Sequence, residues 1–186
     1  MLPSLIAGGL AAAITVWIVG AYNGLVRLRN EVKNAWAQID VQLKRRHDLI
    51  PNLVEAVRGY MTHERDTLEN VTKARNIATQ TSGGVASQAQ AEAGLSRALG
   101  QLYVVMENYP DLKANQNFLA LQEELASTEN KIGFARQFYN DQVMALNNKI
   151  QMFPSNIIAG MFSFKEGEFF EVEAAAEREA PQVSFR

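Results

Sequence analysis

The first 26 residues of the chain carry no charged side chain, and the first charge is that of Arg27. The densest apolar run within them is residues 5–21, LIAGGLAAAITVWIVGA. A helix rises about 1.5 Å per residue and satisfies its own backbone hydrogen bonds, so a run of this length can cross a hydrocarbon core of about 30 Å. The pattern predicts a transmembrane helix over residues 1–26.

Beyond this run, apolar residues recur every three or four positions, which is the spacing that buries one face of a helix. The first series is Leu28, Val32, Ala35, Ile39, Leu43, Ile50, Leu53, Val57, Met61, Leu68 and Val71. Pro51 lies inside it, removes a backbone donor and crowds the preceding turn, so the helix is expected to kink or restart there.

Two breaks separate the later helical series. Residues 79–88 (TQTSGGVASQ) favour a loop, and Tyr109, Pro110 and Asp111 interrupt the pattern again, with Asp111 a candidate cap for the helix that follows. The segments predicted to be helical are residues 88–108 and 112–153. The last carries a seam with an average step of about 3.5, typical of knobs-into-holes packing: Phe118, Leu121, Leu125, Thr128, Ile132, Ala135, Tyr139, Val143, Leu146, Ile150 and Phe153.

No stretch alternates apolar and polar residues for long enough to predict a sheet. The expected fold is all-α, with an N-terminal transmembrane helix followed by a long antiparallel helical bundle. The chain either turns back near Pro51 or continues through it as one mildly kinked helix, and segment lengths favour a bundle whose first helix is long and bent. The expected ranges are 1–26 for the anchor, 27–153 for a cytoplasmic bundle, 154–171 for an apolar capping or interfacial segment, and 172–186 for a mobile acidic tail.

The net charge of −2 conceals an uneven distribution along the chain. Arg27, Arg29 and Lys33 follow the apolar run, whereas no basic side chain precedes it, so the basic n-region of a cleaved signal peptide is missing. We therefore expect an uncleaved single-pass anchor in the cell (inner) membrane. The positive-inside rule predicts its orientation, with the N-terminus outside and the body in the cytoplasm. Basic residues beside a membrane suit anionic lipid, and no nucleic-acid-binding module is recognisable, so membrane lipid is an expected partner and nucleic acid is not.

A cluster of large apolar residues follows the last helical series. Its members are Phe153, Ile157, Ile158, Met161, Phe162 and Phe164. Exposure of so many apolar side chains would favour aggregation, so they are expected to pack against something. They either close the end of the bundle, or enter the membrane interface or contact a neighbouring subunit.

The search for catalytic chemistry yields little. The chain has no cysteine and two histidines, His47 and His63, neither of which belongs to a helical di-iron or zinc-protease motif. Nucleotide-binding loops and a nucleophile elbow are also absent from the sequence. We therefore expect no enzyme activity, no cofactor and no metal, while noting that distant residues can meet in a fold.

Four charged residues lie at the edges of the apolar stripes: Arg46, Arg75, Glu129 and Arg136. They form either exposed rim pairs, each contributing less than about 1 kcal/mol, or a polar network between helices that fixes their register.

Several segments of the chain resemble the LemA family, and they occur in the same order. They include residues 29–32 (RNEV), 35–46 (AWAQIDVQLKRR), 48–54 (DLIPNLV), 109–115 (YPDLKAN), 121–125 (LQEEL), 128–132 (TENKI), 153–156 (FPSN) and 169–171 (FFE), and the match extends over about residues 5–171. The resemblance implies a bacterial, single-span protein with a helical-bundle domain and no established catalytic activity. One branch of that family is associated with shaping internal membranes. The loop at 79–88 and the tail after Glu171 look particular to this chain.

Two functions follow from these features. The first is a scaffold that forms homo-oligomers at the cytoplasmic membrane surface and organises lipid there. The alternative is an adaptor that does not self-assemble and binds another membrane or envelope-stress protein.

Overall fold

The computed structural model describes residues 2–61 and 63–171, so the predicted acidic tail at 172–186 lies outside the described residues. The helices are α1 (Leu2–Arg58), α2 (Arg65–Gln80), α3 (Val85–Met106), α4 (Pro110–Lys113), α5 (Gln116–Gln151) and α6 (Ser155–Met161). The described residues contain no strand. The predicted all-α class with a long apolar N-terminal helix is confirmed.

The chain does not restart or turn back at Pro51, because α1 continues through it to Arg58. Proline has no N–H to donate to the carbonyl four residues earlier, which here belongs to His47. Arg75 on α2 supplies the missing donor: its Nε lies 3.1 Å from the His47 carbonyl oxygen. The turn begins instead at Gly59, where the N–H groups of Tyr60 and Met61 both donate to the carbonyl of Val57.

Two other boundaries differ from the prediction. The loop between α2 and α3 is confined to residues 81–84. The segment starting at Pro110 forms the short separate helix α4, and Asp111 lies in its first turn without capping α5. The cap of α5 is Asn115, whose Oδ1 accepts hydrogen bonds from the N–H groups of Asn117 (2.9 Å) and Phe118 (3.2 Å).

The predicted seam of α5 is largely buried. Its buried members are Phe118, Leu125, Thr128, Ile132, Tyr139, Val143 and Leu146. Phe153, however, is 79% exposed, because α5 ends at Gln151 and the chain leaves the helix before reaching it. The buried seam therefore ends before Phe153.

The described chain divides into two compact units. Unit 1 comprises Met1–Arg45 and Ser127–Phe169. In it, Leu25 of α1 belongs to the same apolar cluster as Leu146 of α5. The rings of Trp36 on α1 and Tyr139 on α5 are in contact, with 5.5 Å between their centroids. Since higher numbers on α1 match lower numbers on α5, the two helices run antiparallel within this unit.

Unit 2 comprises Arg46–Ala126 and the described end of the chain from Phe170. Its core joins the last turns of α1 to α2, α3, α4 and the first turns of α5, and includes Leu53, Val57, Leu95, Leu102 and Leu112, all with no exposed surface. The predicted domain ranges stay predictions.

Candidate functional sites

The apolar half of α1 is uncovered. Leu5 and Val16 are each 73% exposed, and the most apolar window of the helix is not buried anywhere against the protein. Within the described residues, α1 is the helix that is long and apolar enough to cross a membrane. A helix that is apolar all round and packs on nothing is suited to a lipid environment.

The three basic residues after this segment are all exposed. Arg27 lies 3.7 Å from the Glu31 carboxylate, one turn along α1. The guanidinium of Arg29 stacks over the ring of Phe164 at 5.2 Å, which is a cation–π contact. Lys33 completes the group, so this part of α1 presents positive charge on its surface.

The apolar cluster after α5 divides between core and surface. Ile158 is buried with Leu25 and Leu146, and Phe164 packs at the edge of the same cluster. Phe153, Ile157, Met161 and Phe162 are more than half exposed. One face of α6 thus closes the end of unit 1, and the other leaves large apolar side chains uncovered.

Aromatic contacts fix α6 beside the end of the apolar run. The ring of Tyr22 lies 4.7 Å from that of Phe162 and 5.8 Å from that of Phe164. Ser163 adopts the left-handed conformation (φ 54°), and the N–H of Phe164 returns to the carbonyl of Ala159. This is the hydrogen-bond pattern of a Schellman motif, which ends α6 and directs Phe164 back onto α1.

The segment after α6 is held along α5 by hydrogen bonds between side chains of α5 and the backbone of the segment. The Asn147 amide accepts from the N–H of Gly167 (2.8 Å) and donates to its carbonyl (3.0 Å). Tyr139 donates its hydroxyl to the carbonyl of Glu168 (2.9 Å). A Cβ at position 167 would lie 3.3 Å from Val143, so glycine permits the close approach.

Unit 2 contains a buried polar cluster centred on Glu92 of α3, and we call it the Glu92 cluster. The Glu92 carboxylate accepts hydrogen bonds from Arg46, from His47 Nε2 (2.9 Å) and from the Gln88 amide (2.9 Å). Arg46 also donates to the hydroxyl of Ser96 (3.1 Å). Arg46, His47 and Glu92 are all buried, so each charge depends on its neighbours for stabilisation.

The charges of this cluster favour an ionised carboxylate. Burial raises the pKa of Glu92, but the hydrogen bond from His47 and the charge of Arg46 together outweigh burial and lower that pKa below its usual value. An ionised carboxylate only accepts hydrogen bonds, so His47 must be a donor at Nε2. The arrangement is that of a buried structural ion pair between Arg46 and Glu92.

The structure places the four network candidates in different units. Arg46 pairs with Glu92, and Arg75 donates to the backbone of His47, so both belong to unit 2 around one cluster. Glu129 and Arg136 belong to unit 1, where Glu129 is exposed and Arg136 half-buried, and each has a partner of its own.

Sequence reasoning missed Glu92, Gln88 and Ser96. A usable signal was present, since Glu92 precedes Leu95, Leu99, Leu102 and Met106 at steps of three and four and therefore occupies a seam position of α3. Arg46 likewise follows Ile39 and Leu43 and precedes Ile50 in the seam of α1. When two buried helix seams each contain one charged residue and the two charges are opposite, the sequence predicts that the two side chains form an ion pair.

No catalytic constellation is assembled in the part of the chain that the structure describes. His63 is exposed in the turn before α2, and His47 is engaged with Glu92. In residues 2–61 and 63–171 no group of three or more histidine and acidic residues could hold a metal ion. A groove of about 590 Å³ is lined by Val54, Arg58, Met61, Arg65, Leu68, Glu69 and Thr72, and its lining contains no nucleophile paired with a base.

An all-helical body with an uncovered apolar N-terminal helix defines a membrane-associated helical protein. The chain belongs to the LemA family, whose profile matches residues 35–185. It is 30% identical over 141 residues to Protein LemA of Metamycoplasma hominis, covering 76% of this chain and 64% of that protein.

Two more distant relatives are named as magnetosome proteins. The chain is 22% identical over 181 residues to Magnetosome protein MamQ 2 of Paramagnetospirillum magneticum, covering 84% of this chain and 66% of the relative. It is 23% identical over 193 residues to Magnetosome protein MamQ of Magnetospirillum gryphiswaldense, covering 90% and 71%. The chain thus spans slightly less than two thirds of the first two relatives, and none of the three is named as an enzyme.

Proposed function

We propose that the protein is a single-pass scaffold that self-assembles at the cytoplasmic face of the inner membrane and organises the membrane there. The observation that carries this proposal is the uncovered apolar segment of α1, which runs without a break into the helical body of unit 1. Similarity to relatives named as magnetosome proteins supports the membrane association on which this proposal depends.

Charge supports the proposed orientation. Arg27, Arg29 and Lys33 are exposed directly after the apolar segment, where basic residues are retained on the cytoplasmic side. Replacing all three by glutamate should weaken this bias and raise the fraction of protein with its C-terminus outside. Reporter fusions at the C-terminus measure that fraction, and an unchanged fraction would contradict the proposed orientation signal.

The uncovered face of α6 is proposed to contact the bilayer surface. Ile157, Met161 and Phe162 are exposed, and the ring of Phe162 packs on that of Tyr22, the residue directly after the apolar run. Apolar side chains beside a transmembrane helix can insert at the boundary between headgroups and acyl chains. The same segment then closes unit 1 with one face and contacts lipid with the other.

Self-assembly is proposed through an apolar surface of unit 1. Phe134 is 75% exposed and Phe138 is 42% exposed, and both lie one turn apart on the same face of α5. Val41 of α1 is also largely exposed. Uncovered aromatic residues at helical spacing are typical of a surface that binds another protein chain, and here the proposed occupant is a second copy of this chain.

Light scattering of the full-length protein in detergent tests the assembly. We expect the wild type to form a defined oligomer and Phe134→Glu with Phe138→Glu to shift it to a smaller species, whereas the exposed control Gln137→Glu should not. A monomeric wild type that leaves liposomes unchanged in shape would contradict the scaffold. If such a monomer crosslinked in cells to one dominant membrane protein, the adaptor function would replace the scaffold function.

A further inference from the structure

A groove of about 370 Å³ lies between the end of the apolar segment of α1 and the corner where α5 meets α6. Trp17 and Gly20 form its α1 side, and Lys149, Met152 and Phe153 form the opposite side. All of these residues belong to unit 1. The volume falls within the range of small-molecule sites in proteins.

Glycine keeps the groove open. A Cβ added at Gly20 would meet nothing within 4 Å, so the space beside this residue is unfilled. One turn further along α1, the Cε of Lys149 comes within 4.0 Å of the Cβ position at Gly24. The aliphatic part of the Lys149 side chain therefore lies against the glycine face of α1, and a lysine packed this way keeps its ammonium in a polar environment.

The lining combines one positive charge with apolar walls. Among the residues that the structure describes, no acidic side chain forms an ion pair with Lys149. Met152 and Phe153 are largely exposed, and Trp17 is 41% exposed. An ammonium beside apolar side chains matches a molecule with an anionic head and a hydrocarbon tail.

The position of the groove along α1 identifies the source of that molecule. Trp17 and Gly20 lie near the end of the uncharged run, and Arg27 is the first charged residue beyond them. In a helix that spans the bilayer, this stretch lies at the level of the headgroups on the side of the body, where tryptophan is favoured. The groove thus opens where phospholipid headgroups are available.

We propose that this groove binds an anionic phospholipid, with Lys149 contacting the phosphate and Trp17, Met152 and Phe153 contacting the first acyl carbons. This inference rests on the proposed membrane anchoring and adds a specific lipid site to it. The bound lipid connects α1 to the α5–α6 corner at the membrane surface.

Native mass spectrometry of the full-length protein released from nanodiscs tests the site. The nanodiscs contain phosphatidylcholine and phosphatidylglycerol, and the measured quantity is the phosphatidylglycerol retained per protein. We expect the wild type to retain phosphatidylglycerol preferentially and Lys149→Gln to retain about fivefold less, the effect of one surface cation. Gly20→Leu should reduce retention by filling the groove.

Matched control variants distinguish an effect of the groove from a general effect of losing a lysine charge or of adding a leucine to α1. Lys131→Gln removes an exposed charge from the same helix as Lys149, and Gly9→Leu adds the same side chain to α1 at another unfilled position. Both should retain phosphatidylglycerol as the wild type does. Equal retention by all five proteins would overturn the lipid site.

Alkaline carbonate extraction of the same proteins distinguishes the site from the anchor. We expect all of them to remain in the membrane fraction, because none of the substitutions introduces a charge into the apolar segment. Equal lipid retention together with resistance to extraction would overturn the lipid site alone. Release of the wild type by carbonate would overturn both the anchor and the lipid site.

Discussion

Arg75 donates a hydrogen bond from Nε to the backbone carbonyl of His47, and this is the carbonyl that Pro51 leaves without a helical donor. The contact joins α2 to α1 at the turn of α1 where one backbone hydrogen bond is missing because Pro51 has no N–H. The contact accounts for the tolerance of an internal proline at this position. It also makes the stabilising effect of Arg75 depend on whether residue 51 is proline.

A double-mutant cycle measures this dependence. Arg75→Leu should lower the free energy of unfolding by about 1–3 kcal/mol, because it leaves a carbonyl unsatisfied. In the Pro51→Ala background the alanine N–H can pair with that carbonyl, so the same substitution should be less destabilising. Urea unfolding of the full-length protein in detergent, followed by far-UV circular dichroism, gives the four values.

Arg97→Leu is the matched control, because Arg97 is exposed on α3. It should change the free energy of unfolding by less than about 0.5 kcal/mol. An equal effect of Arg75→Leu with proline or alanine at position 51 would contradict the proposed replacement of the donor.

The Glu92 cluster makes a second cycle possible. Arg46→Met should destabilise the protein by about 3–5 kcal/mol, because the Glu92 carboxylate stays buried without its main cation. Arg46→Met combined with Glu92→Leu should be less destabilising than the sum of the two single substitutions, since both charges are removed. Lys44→Met, at an exposed position nearby, serves as the control. Additive single effects would show that the two side chains do not depend on each other.

The lowered pKa of Glu92 predicts a loss of stability in acid. The unfolded state binds the proton at a higher pH than the folded state does, so unfolding becomes easier as pH falls. The contribution is fully present above the unfolded pKa of about 4.3 and is lost as pH falls through the folded pKa. Arg46 and His47 hold the carboxylate ionised, Gln88 adds a neutral donor, and Arg75 binds the backbone of His47.

Urea midpoints between pH 7 and pH 3 test this linkage. Glu92→Gln should be less stable than the wild type at pH 7 and should lose less stability on acidification. Parallel pH profiles for the two proteins would contradict a contribution from Glu92.

The paired hydrogen bonds between Asn147 and Gly167 predict a strong effect of a small change. Asn147→Ala should lower the free energy of unfolding by about 1–3 kcal/mol, because the backbone N–H and carbonyl of Gly167 lose their partners. The neighbouring Asn148→Ala is an exposed control on the same helix. Thermal unfolding of both variants measures the difference, and equal midpoints would contradict the role assigned to Asn147.

Ser163 offers a stabilising substitution. Its φ of 54° is unfavourable for a residue with a Cβ, and glycine adopts this conformation without that penalty. Ser163→Gly should therefore raise the free energy of unfolding by about 0.5–1 kcal/mol. Ser163→Ala keeps the Cβ and should bring no gain, so a similar gain in both variants would show that backbone conformation is not the cause.

The sequence was informative where burial follows a regular period. The uncharged run before Arg27 predicts a long apolar helix, and the spacing from Phe118 to Leu146 predicts a buried helix seam, so both features were evident from the sequence alone. Phe153 was misplaced because a periodic pattern does not reveal that the helix ends two residues earlier.

Other features depend on contacts between distant residues. Pro51 alone indicates a broken helix, whereas the helix continues and Arg75 from α2 donates to the carbonyl that Pro51 leaves without a helical donor. Glu92 was missed because a charged residue in a helix is usually solvated, although its seam spacing was visible. The groove beside Lys149 could not be predicted, because it depends on how three helices meet around Gly20.

The continuity of α1 from its apolar end to Arg45 has a mechanical consequence. Within unit 1 one uninterrupted helix joins the segment proposed to lie in lipid to the segment that packs against α5. A bilayer that is thinner or thicker than the apolar length changes the tilt of a spanning helix. Because the same helix also packs against α5, a change in its tilt would rotate the packed part of unit 1 with it. The thickness of the bilayer would then set the angle between the packed helices of unit 1 and the membrane surface.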